Sequence, residues 1–473
     1  MTEQPIGTGA GRVAVIGGGL AGITAALRLA DAGRSVVLLE AASKLGGLTH
    51  SFQRGELHVD NGQHVFLRCC QAYLRLLDRL GMREQVSLQP KLDVPVRAPG
   101  AAGPARLNRA ALPAPLHLGG SLLRYSMLSP ADRLRVVAGA LAMRRLAADD
   151  PSLDAVNFGE WLDEHGQNSR TVAALWDVFT VATLNLPAAE ASLAMAAKVF
   201  LTGLLTDAAA GDIGWSRVPL QQLHGDPATR ALELAGAEVR TRSRLTELVP
   251  DGAGWTVRDQ AERIEQVDQV VLAVPPDQAE RLLPAGSLSL PAGWAERLGS
   301  SPIVNVHLIF DRRVLTGEFL AAVRSPVQWI FDRTEQSDLA RQAEPRDGQY
   351  LAISLSAADE WIDSRTSDIR DRVLPALAEL LPEVRRARVL DFFVSRERHA
   401  TFRATPGTGP LRPSAGTGRP GLALAGAWTA TGWPATMESA VLSGEAAAEL
   451  LLAERPGGFA SAGALGELER NGT

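Results

Sequence analysis

The plainest chemistry in this sequence is carried by three glycines. Gly17, Gly19 and Gly22 form G-x-G-x-x-G directly after the apolar run Arg12 to Ile16 and before a helix-period stretch that ends near Ala32-Gly33. The first glycine suits a tight turn, the second lets backbone approach a pyrophosphate, and the third lets the helix pack on the strand. The helix N-terminus, at Leu20 and Ala21, then offers an anion site. Glu40 closes a second strand, Ser35 to Glu40, 18 residues after Gly22, near the position of an acid that hydrogen-bonds a ribose. The bland alternative is a strand–helix turn followed by a surface glutamate.

Positioning such a site takes a βαβ unit, and more strands than this one unit supplies. Helix-period stretches follow at Pro130 to Leu146, Phe158 to His165 and Ala188 to Thr206. Strands are predicted at Glu238 to Val249, Gly254 to Arg258, Gln269 to Val274, Ile303 to Phe310, Gln349 to Ser356 and Leu422 to Ala425, with helices at Thr366 to Leu381 and Ala435 to Leu452. Strands of one nucleotide fold thus recur at the start, middle and end of the chain. The expected architecture is α/β, a discontinuous Rossmann-type domain with a second, mixed α+β substrate domain. The cofactor domain is expected to comprise 11–91, 225–290 and 390–454, and the substrate domain 92–224 (mostly helical) and 291–389. Poorly ordered tails are expected at 1–10 and 455–473.

The 473 residues are 46% apolar and 21% charged, as in soluble globular proteins. The net charge of −5 and pI near 6.0 offer no affinity for nucleic acid. No apolar run nears the roughly 18–20 residues of a membrane span; the longest is Val136 to Met143. Met1 to Gly11 lacks the basic and apolar regions of a secretory signal. The only cysteines, Cys69 and Cys70, are adjacent, a poor geometry for an unstrained disulfide, so a reducing cytosol is expected. Lysines number only three, Lys44, Lys91 and Lys198.

Beyond Glu40 the stretch Ala41-Ala42-Ser43-Lys44-Leu45-Gly46-Gly47 resembles the FAD-dependent amine oxidase and phytoene desaturase superfamily, with Leu48 standing where an arginine is usual. Asp60-Asn61-Gly62-Gln63-His64 resembles the segment that runs beside the flavin ring. Leu424-Ala425-Gly426 through Trp433-Pro434-Ala435-Thr436-Met437-Glu438 resembles the C-terminal FAD signature, whose helix N-terminus faces the flavin pyrimidine. The resemblance implies non-covalent FAD, held by these segments together with Leu245. Amine oxidases of the superfamily keep a lysine near flavin N5 in the second half of the chain and an aromatic before Met-Glu. Here no lysine follows Lys198, and Thr436 takes the aromatic's place.

Further phrases resemble the bacterial hydroxysqualene dehydroxylases: Ala182-Thr183-Leu184-Asn185, Leu355 to Trp361, Arg396 to Arg403 and Ala427 to Pro434. This implies reductive loss of the hydroxyl of hydroxysqualene to give squalene, through an allylic cation and hydride from reduced FAD. Implied partners are an apolar C30 polyprenoid, an unidentified electron donor and neighbours in squalene and hopanoid synthesis. His64 is the first candidate acid, against a histidine merely bonded to backbone or cofactor. Asp60 and Gln63 are further candidates, Asp60 more as a turn-capping carboxylate. Arg398 and Arg403 are weighed as lining residues, and Glu438 as a helix-dipole residue. A substrate tunnel is expected from Leu193 to Leu205 or Pro115 to Leu128, and the latter is also a candidate monotopic contact with the inner membrane face. Alternatives are a carotenoid desaturase, an amine oxidase, or a flavin-bound assembly protein.

Overall fold

The computed structural model describes residues 11–252, 254–339 and 347–454, so the expected tails 1–10 and 455–473 lie outside the described residues. The opening unit forms as its pattern requires: β1 (Arg12–Ile16), α1 (Leu20–Asp31) and β2 (Ser35–Leu39). β1 and β2 are continuous apolar runs because both sheet faces are covered. β1 is the middle strand of a five-stranded parallel sheet, in the order Glu238–Arg240, β2, β1, Gln269–Leu272, Leu422–Leu424. Strands from three distant stretches therefore complete one nucleotide-binding sheet. The C-terminal helix Met437–Ala453 packs on α1, where Gly444 lies so close that a Cβ would sit 2.3 Å from the Ala21 carbonyl oxygen.

A second sheet has seven strands, in the order Val389–Phe402, Ser300–Phe310, Gln349–Leu355, Trp329–Asp332, Phe319–Ala322, Asp93–Arg97, Ala105–Asn108. One face, with Val304, Val306, Ile330 and Ile353, packs on Ile369, Val373 and Leu377 of the helix Thr366–Leu380. Cross-strand register puts Ser395, Asn305, Ser354, Trp329 and Ala321 in one row on the opposite face. That face joins the core shared with the parallel sheet, through Phe319, Ala321 and Phe331.

Several predicted elements differ. Glu238 to Val249 is two strands in two sheets: Glu238–Arg240, then Leu245–Asp251 in an antiparallel sheet with Gly254–Asp259 and Ile264–Val267. The break is at Arg242, whose φ of 53° reverses the chain while Ser243 N–H bonds the Glu40 carbonyl. Of Ala188 to Thr206 only Leu193–Phe200 is α-helical, continued by a wider turn to Leu205, because Ser192 is extended and its N–H bonds the Ala404 carbonyl. Val389–Phe402, placed from residue 390 with the cofactor segments, instead pairs along the whole of Ser300–Phe310. Its run of Arg396, Glu397 and Arg398 hides the strand pattern, as edge position allows. Among the described residues no helix is long and apolar enough to cross a membrane.

Three of the phrases singled out from the sequence meet at Asn185, which ends a helix in the left-handed conformation at φ 56° and is buried. Its Nδ2 donates to Ser301 O (2.9 Å) and Thr401 Oγ1 (3.1 Å), and its Oδ1 accepts from Ala357 N (2.6 Å). Asn185→Ala should lower unfolding free energy by about 4 kcal/mol, about 1 for each of the three lost bonds and about 1 for left-handed strain. Urea denaturation checks this, and a loss below about 1 kcal/mol would show that Asn185 is not the hub.

Candidate active site

The glycine turn is shaped by the protein in two places and open in a third. Gly17 has φ +106°, and a Cβ there would lie 2.3 Å from the Ala273 carbonyl oxygen; at Gly22 it would lie 1.9 Å from the Gly17 oxygen. At Gly19 it would meet only the Gly47 Cα, at 3.8 Å, so the space over Gly19 is left for a ligand. Gly19 caps α1 with no side-chain hydrogen bond, which leaves the first-turn N–H groups at Leu20 and Ala21 without a side-chain acceptor. The second loop lies directly on the first: Gly46 N–H bonds the Gly18 carbonyl at 2.8 Å, and Gly47 takes φ +56°.

Glu40 fixes this cradle. Its Oε2 accepts from Gly18 N and its Oε1 from Ala42 N, each at 2.6 Å. A carboxylate has about four acceptor sites, so two remain for ribose hydroxyls. Ala41, Lys44 and Leu48 line the exposed rim of the loop, whereas Leu245 is buried at the start of the antiparallel sheet. At the far end Gly426 N–H bonds Ser443 Oγ at 2.8 Å, and a Cβ on Gly426 would strike the Trp428 ring at 2.3 Å. Thr436 caps the C-terminal helix through Ser439 N (3.2 Å), so that helix begins at Met437, two residues later than expected. Trp433, just before Pro434, holds Arg412 through its carbonyl (2.7 Å) and carries Lys198 Nζ 5.2 Å from its ring centroid.

The Asp60–His64 segment is where the reactive end is expected. Asp60 is not available for catalysis. It is buried, with Oδ1 accepting from Ser51 Oγ (2.6 Å) and Leu220 N (3.0 Å), and Oδ2 paired with Arg333 at 2.5 Å. Gly62 faces the second sheet: its ideal Cβ position is 3.5 Å from Asn305 Nδ2. Asn305 is 1% exposed, yet neither of its side-chain polar atoms has a partner among the described residues, and neither does Gln63 Nε2. Buried amides are seldom left unpaired, and these three atoms mark where a bound group belongs. Independently of them, the open space over Gly19, the free start of α1 and Glu40 fit a flavin dinucleotide.

His64 Nδ1 lies 3.1 Å from the Gly62 carbonyl oxygen, which places the proton on Nδ1 and leaves Nε2 as an acceptor. Burial is the main cause holding its pKa below the ordinary histidine value, against weaker opposing effects of Gly62 and Asp60. At neutral pH the ring is thus a neutral acceptor, so the expected acid role requires it first to take a proton. Arg398 and Arg403 do not reach this region: they pair with Asp363 (2.6 Å), and with Glu190 (2.5 Å) and Asp359 (3.2 Å). Glu438 serves a different helix from the one it begins. It caps α2 (Gln71–Arg79), accepting Ala72 N (3.0 Å) and Tyr73 N (2.8 Å).

The walls are apolar. Val65, beside His64, pairs with Trp215, whose ring meets Phe319 edge-on at 5.8 Å; Trp329 and Phe331 continue the cluster. From the Leu193–Phe200 helix, Met195, Lys198 and Val199 form a half-buried stripe, and two of these touch Arg412 and Trp433. The rest of that segment, with Leu193, Ala196, Phe200 and Leu204, is core. Of Pro115 to Leu128, Leu118 and Leu122 pack on the core while Leu116 and Leu123 are exposed. The sequence reading missed Asn305, although an asparagine inside the apolar strand Ile303 to Phe310 was a signal for it.

A family model described as flavin containing amine oxidoreductase matches residues 20–452. The 15-cis-phytoene desaturase of Synechococcus elongatus is 25% identical over 464 residues, covering 94% of this chain and 96% of its own. The zeta-carotene desaturase of Synechocystis is 27% identical over 491 residues, covering 94% and 98%. The structure of an oxidoreductase from Methanosarcina mazei superposes with a TM-score of 0.71 at 18% identity, covering 93% of this chain and 100% of its own. The cofactor of the cradle is FAD. Gly19→Ala should therefore leave stability within about 0.5 kcal/mol, as expected for a change that meets no clash, while the flavin content of the purified protein falls at least about ten-fold. Retained flavin would show that the pyrophosphate does not pass over Gly19.

Proposed function

The chain belongs to the flavin containing amine oxidoreductase family, and on that premise we propose that it removes the hydroxyl group of hydroxysqualene reductively, giving squalene. The observation that carries this reading is that Gln63, His64 and Asn305, the unpaired or acceptor groups facing the Gly62 segment, are all uncharged and stand beside a wall of Trp215, Phe319 and Trp329. Such a site suits a long hydrocarbon with one hydroxyl. It suits a charged amine poorly, because Asp60, the carboxylate of this segment, is already held by Arg333. The phrases shared with hydroxysqualene dehydroxylases that meet at Asn185 add support.

Bound FAD, in its reduced form, supplies the hydride that replaces the hydroxyl. The amides of Gln63 and Asn305 donate hydrogen bonds to the substrate oxygen. His64 takes a proton from solvent at Nε2 and passes it to that oxygen, so the C–O bond breaks with loss of water and leaves an allylic cation. The aromatic wall keeps water from that cation. FAD must be reduced again by a donor from outside the chain. The second reading, desaturation of a carotenoid precursor with the flavin used as oxidant, is favoured by the relatives, which are phytoene and zeta-carotene desaturases.

Anaerobic photoreduction followed by addition of hydroxysqualene separates the two. We expect flavin reoxidation with squalene formed in equal amount. A flavin that stays reduced, with product appearing only from phytoene and oxidised flavin, would establish the second reading. Turnover should rise as pH falls from neutrality, because a lowered His64 pKa leaves little protonated ring at pH 7. His64→Ala should slow turnover about 10²-fold or more, the usual worth of positioned proton transfer, with FAD retained. Asn305→Ala should slow it at least about ten-fold while the apoprotein is no less stable, since an unpaired buried amide is removed; unchanged turnover in either variant removes that residue from the mechanism.

A further inference from the structure

The surface beyond the site carries an apolar face that the described residues leave uncovered. It is built by the turn Leu116–Leu118 and two helices, α3 (Gly119–Arg124) and α4 (Pro130–Met143). α4 is apolar on two sides. Val136, Gly139 and Met143 are buried, whereas Leu134, Val137 and Leu141, spaced i, i+3 and i+7, are exposed on the opposite side. Leu134 is 69% exposed, and beside it Leu123 of α3 is 68% and Leu116 62% exposed. Between the helices runs an open groove of about 370 Å³ lined by Leu122, Leu123, Pro130, Leu134 and Val137, with Arg133 as its one charged residue. The Arg133 guanidinium turns inward to the carbonyls of Leu123, Tyr125 and Leu128.

Charge is segregated onto the same stretch. Residues 109–148 hold six arginines and a single acid, Asp132, in a chain whose net charge is −5. Asp132 is buried and held by Arg135 (3.0 Å) and Arg170 (3.3 Å). Arg124, Arg144 and Arg145 are exposed, and among the described residues none of them makes an ion pair. Exposed leucines ringed by unpaired arginines are what an interfacial helix presents to a bilayer with anionic headgroups.

We propose that the α3–α4 face docks onto an anionic lipid bilayer, with Leu116, Leu123, Leu134, Val137 and Leu141 entering the headgroup–acyl boundary. A second copy of this chain fits the face worse, because twofold pairing would bring together two faces that both carry the exposed arginines Arg124, Arg144 and Arg145. The docking does not depend on which substrate is turned over.

Flotation of the FAD-loaded protein tests it, with vesicles of phosphatidylcholine alone and of an equal mixture with phosphatidylglycerol. The protein should float with the anionic vesicles, less so with neutral ones, and less at high salt. Leu123→Glu/Leu134→Glu should weaken partition at least about ten-fold, through lost apolar insertion, with flavin absorbance and far-UV circular dichroism unchanged. Arg144→Glu/Arg145→Glu should abolish the preference for anionic vesicles while leaving the fold intact. A wild-type protein that stays unbound in both mixtures overturns the proposal, as does a leucine variant that floats equally well. A concentration-dependent dimer that this variant dissolves, without vesicle binding, assigns the face to self-association and overturns it too.

Discussion

The carboxylate of Asp60 ties the cofactor side of this protein to its substrate side. Arg333, from the turn that follows the strand Trp329–Asp332, meets it in a pair that is almost fully buried, and Ser51 and Leu220 occupy two further acceptor positions on Oδ1. Desolvating two charges is costly, and such a pair is stable only with the further hydrogen bonds seen here. Removing one partner would strand a buried charge. What the pair gives in return is placement: Asp60 begins the segment that carries Gly62, Gln63 and His64, and Arg333 belongs to the sheet that carries Asn305. The Gly62 segment is held against Asn305 by this contact together with His58 N–H on the Ser337 carbonyl and the packing of Val59 on Ile309 and Tyr350.

Around that weld the polar groups divide cleanly. Charged side chains that look reactive in the sequence are engaged in structure: Arg403 with Glu190 and Asp359, Arg398 with Asp363, Glu438 with the first turn of α2. At the Gly62 segment, among the described residues, the side-chain atoms left without partners belong to the neutral amides Asn305 and Gln63, and the histidine beside them is neutral. A site of that kind exerts its effect by orientation and exclusion of water, and it is matched to chemistry that the flavin supplies. The aromatic wall and the half-buried stripe of Met195 and Val199 continue the same character away from Gly62.

The legibility of the sequence varies with the range of the interaction. The dinucleotide turn was readable because most of its constraints are local: Gly17 takes a positive φ, a Cβ on Gly22 would strike the Gly17 carbonyl, and the helix start lies within three residues, whereas the Ala273 carbonyl that also crowds Gly17 is distant in sequence. The helices at 130–146, 158–165 and 366–381 were readable to within a few residues for the same reason, since their periodicity is carried by side chains three and four apart. The strand Val389–Phe402 was not, because an edge strand tolerates charge on its exposed face and its partner is some 90 residues away. The role of Asp60 was half legible. A capping carboxylate was expected, but Arg333 lies 273 positions further on and nothing in the local pattern points to it.

By itself, then, the sequence determined a dinucleotide cradle with an interleaved parallel sheet, since steric limits on glycine and continuous apolar runs bounded by turns act within a few positions, and its resemblance to flavoproteins implied FAD. It also set the apolar character of the segments after residue 110 without saying which of their faces would be covered. Only the tertiary structure decided that Asn305 faces Gly62, that Asp60 is a tie rather than a catalyst, and that the leucines of α3 and α4 remain exposed. Those outcomes depend on which distant strands pair and in what register, and the energy of that choice is shared among contacts separated by hundreds of residues.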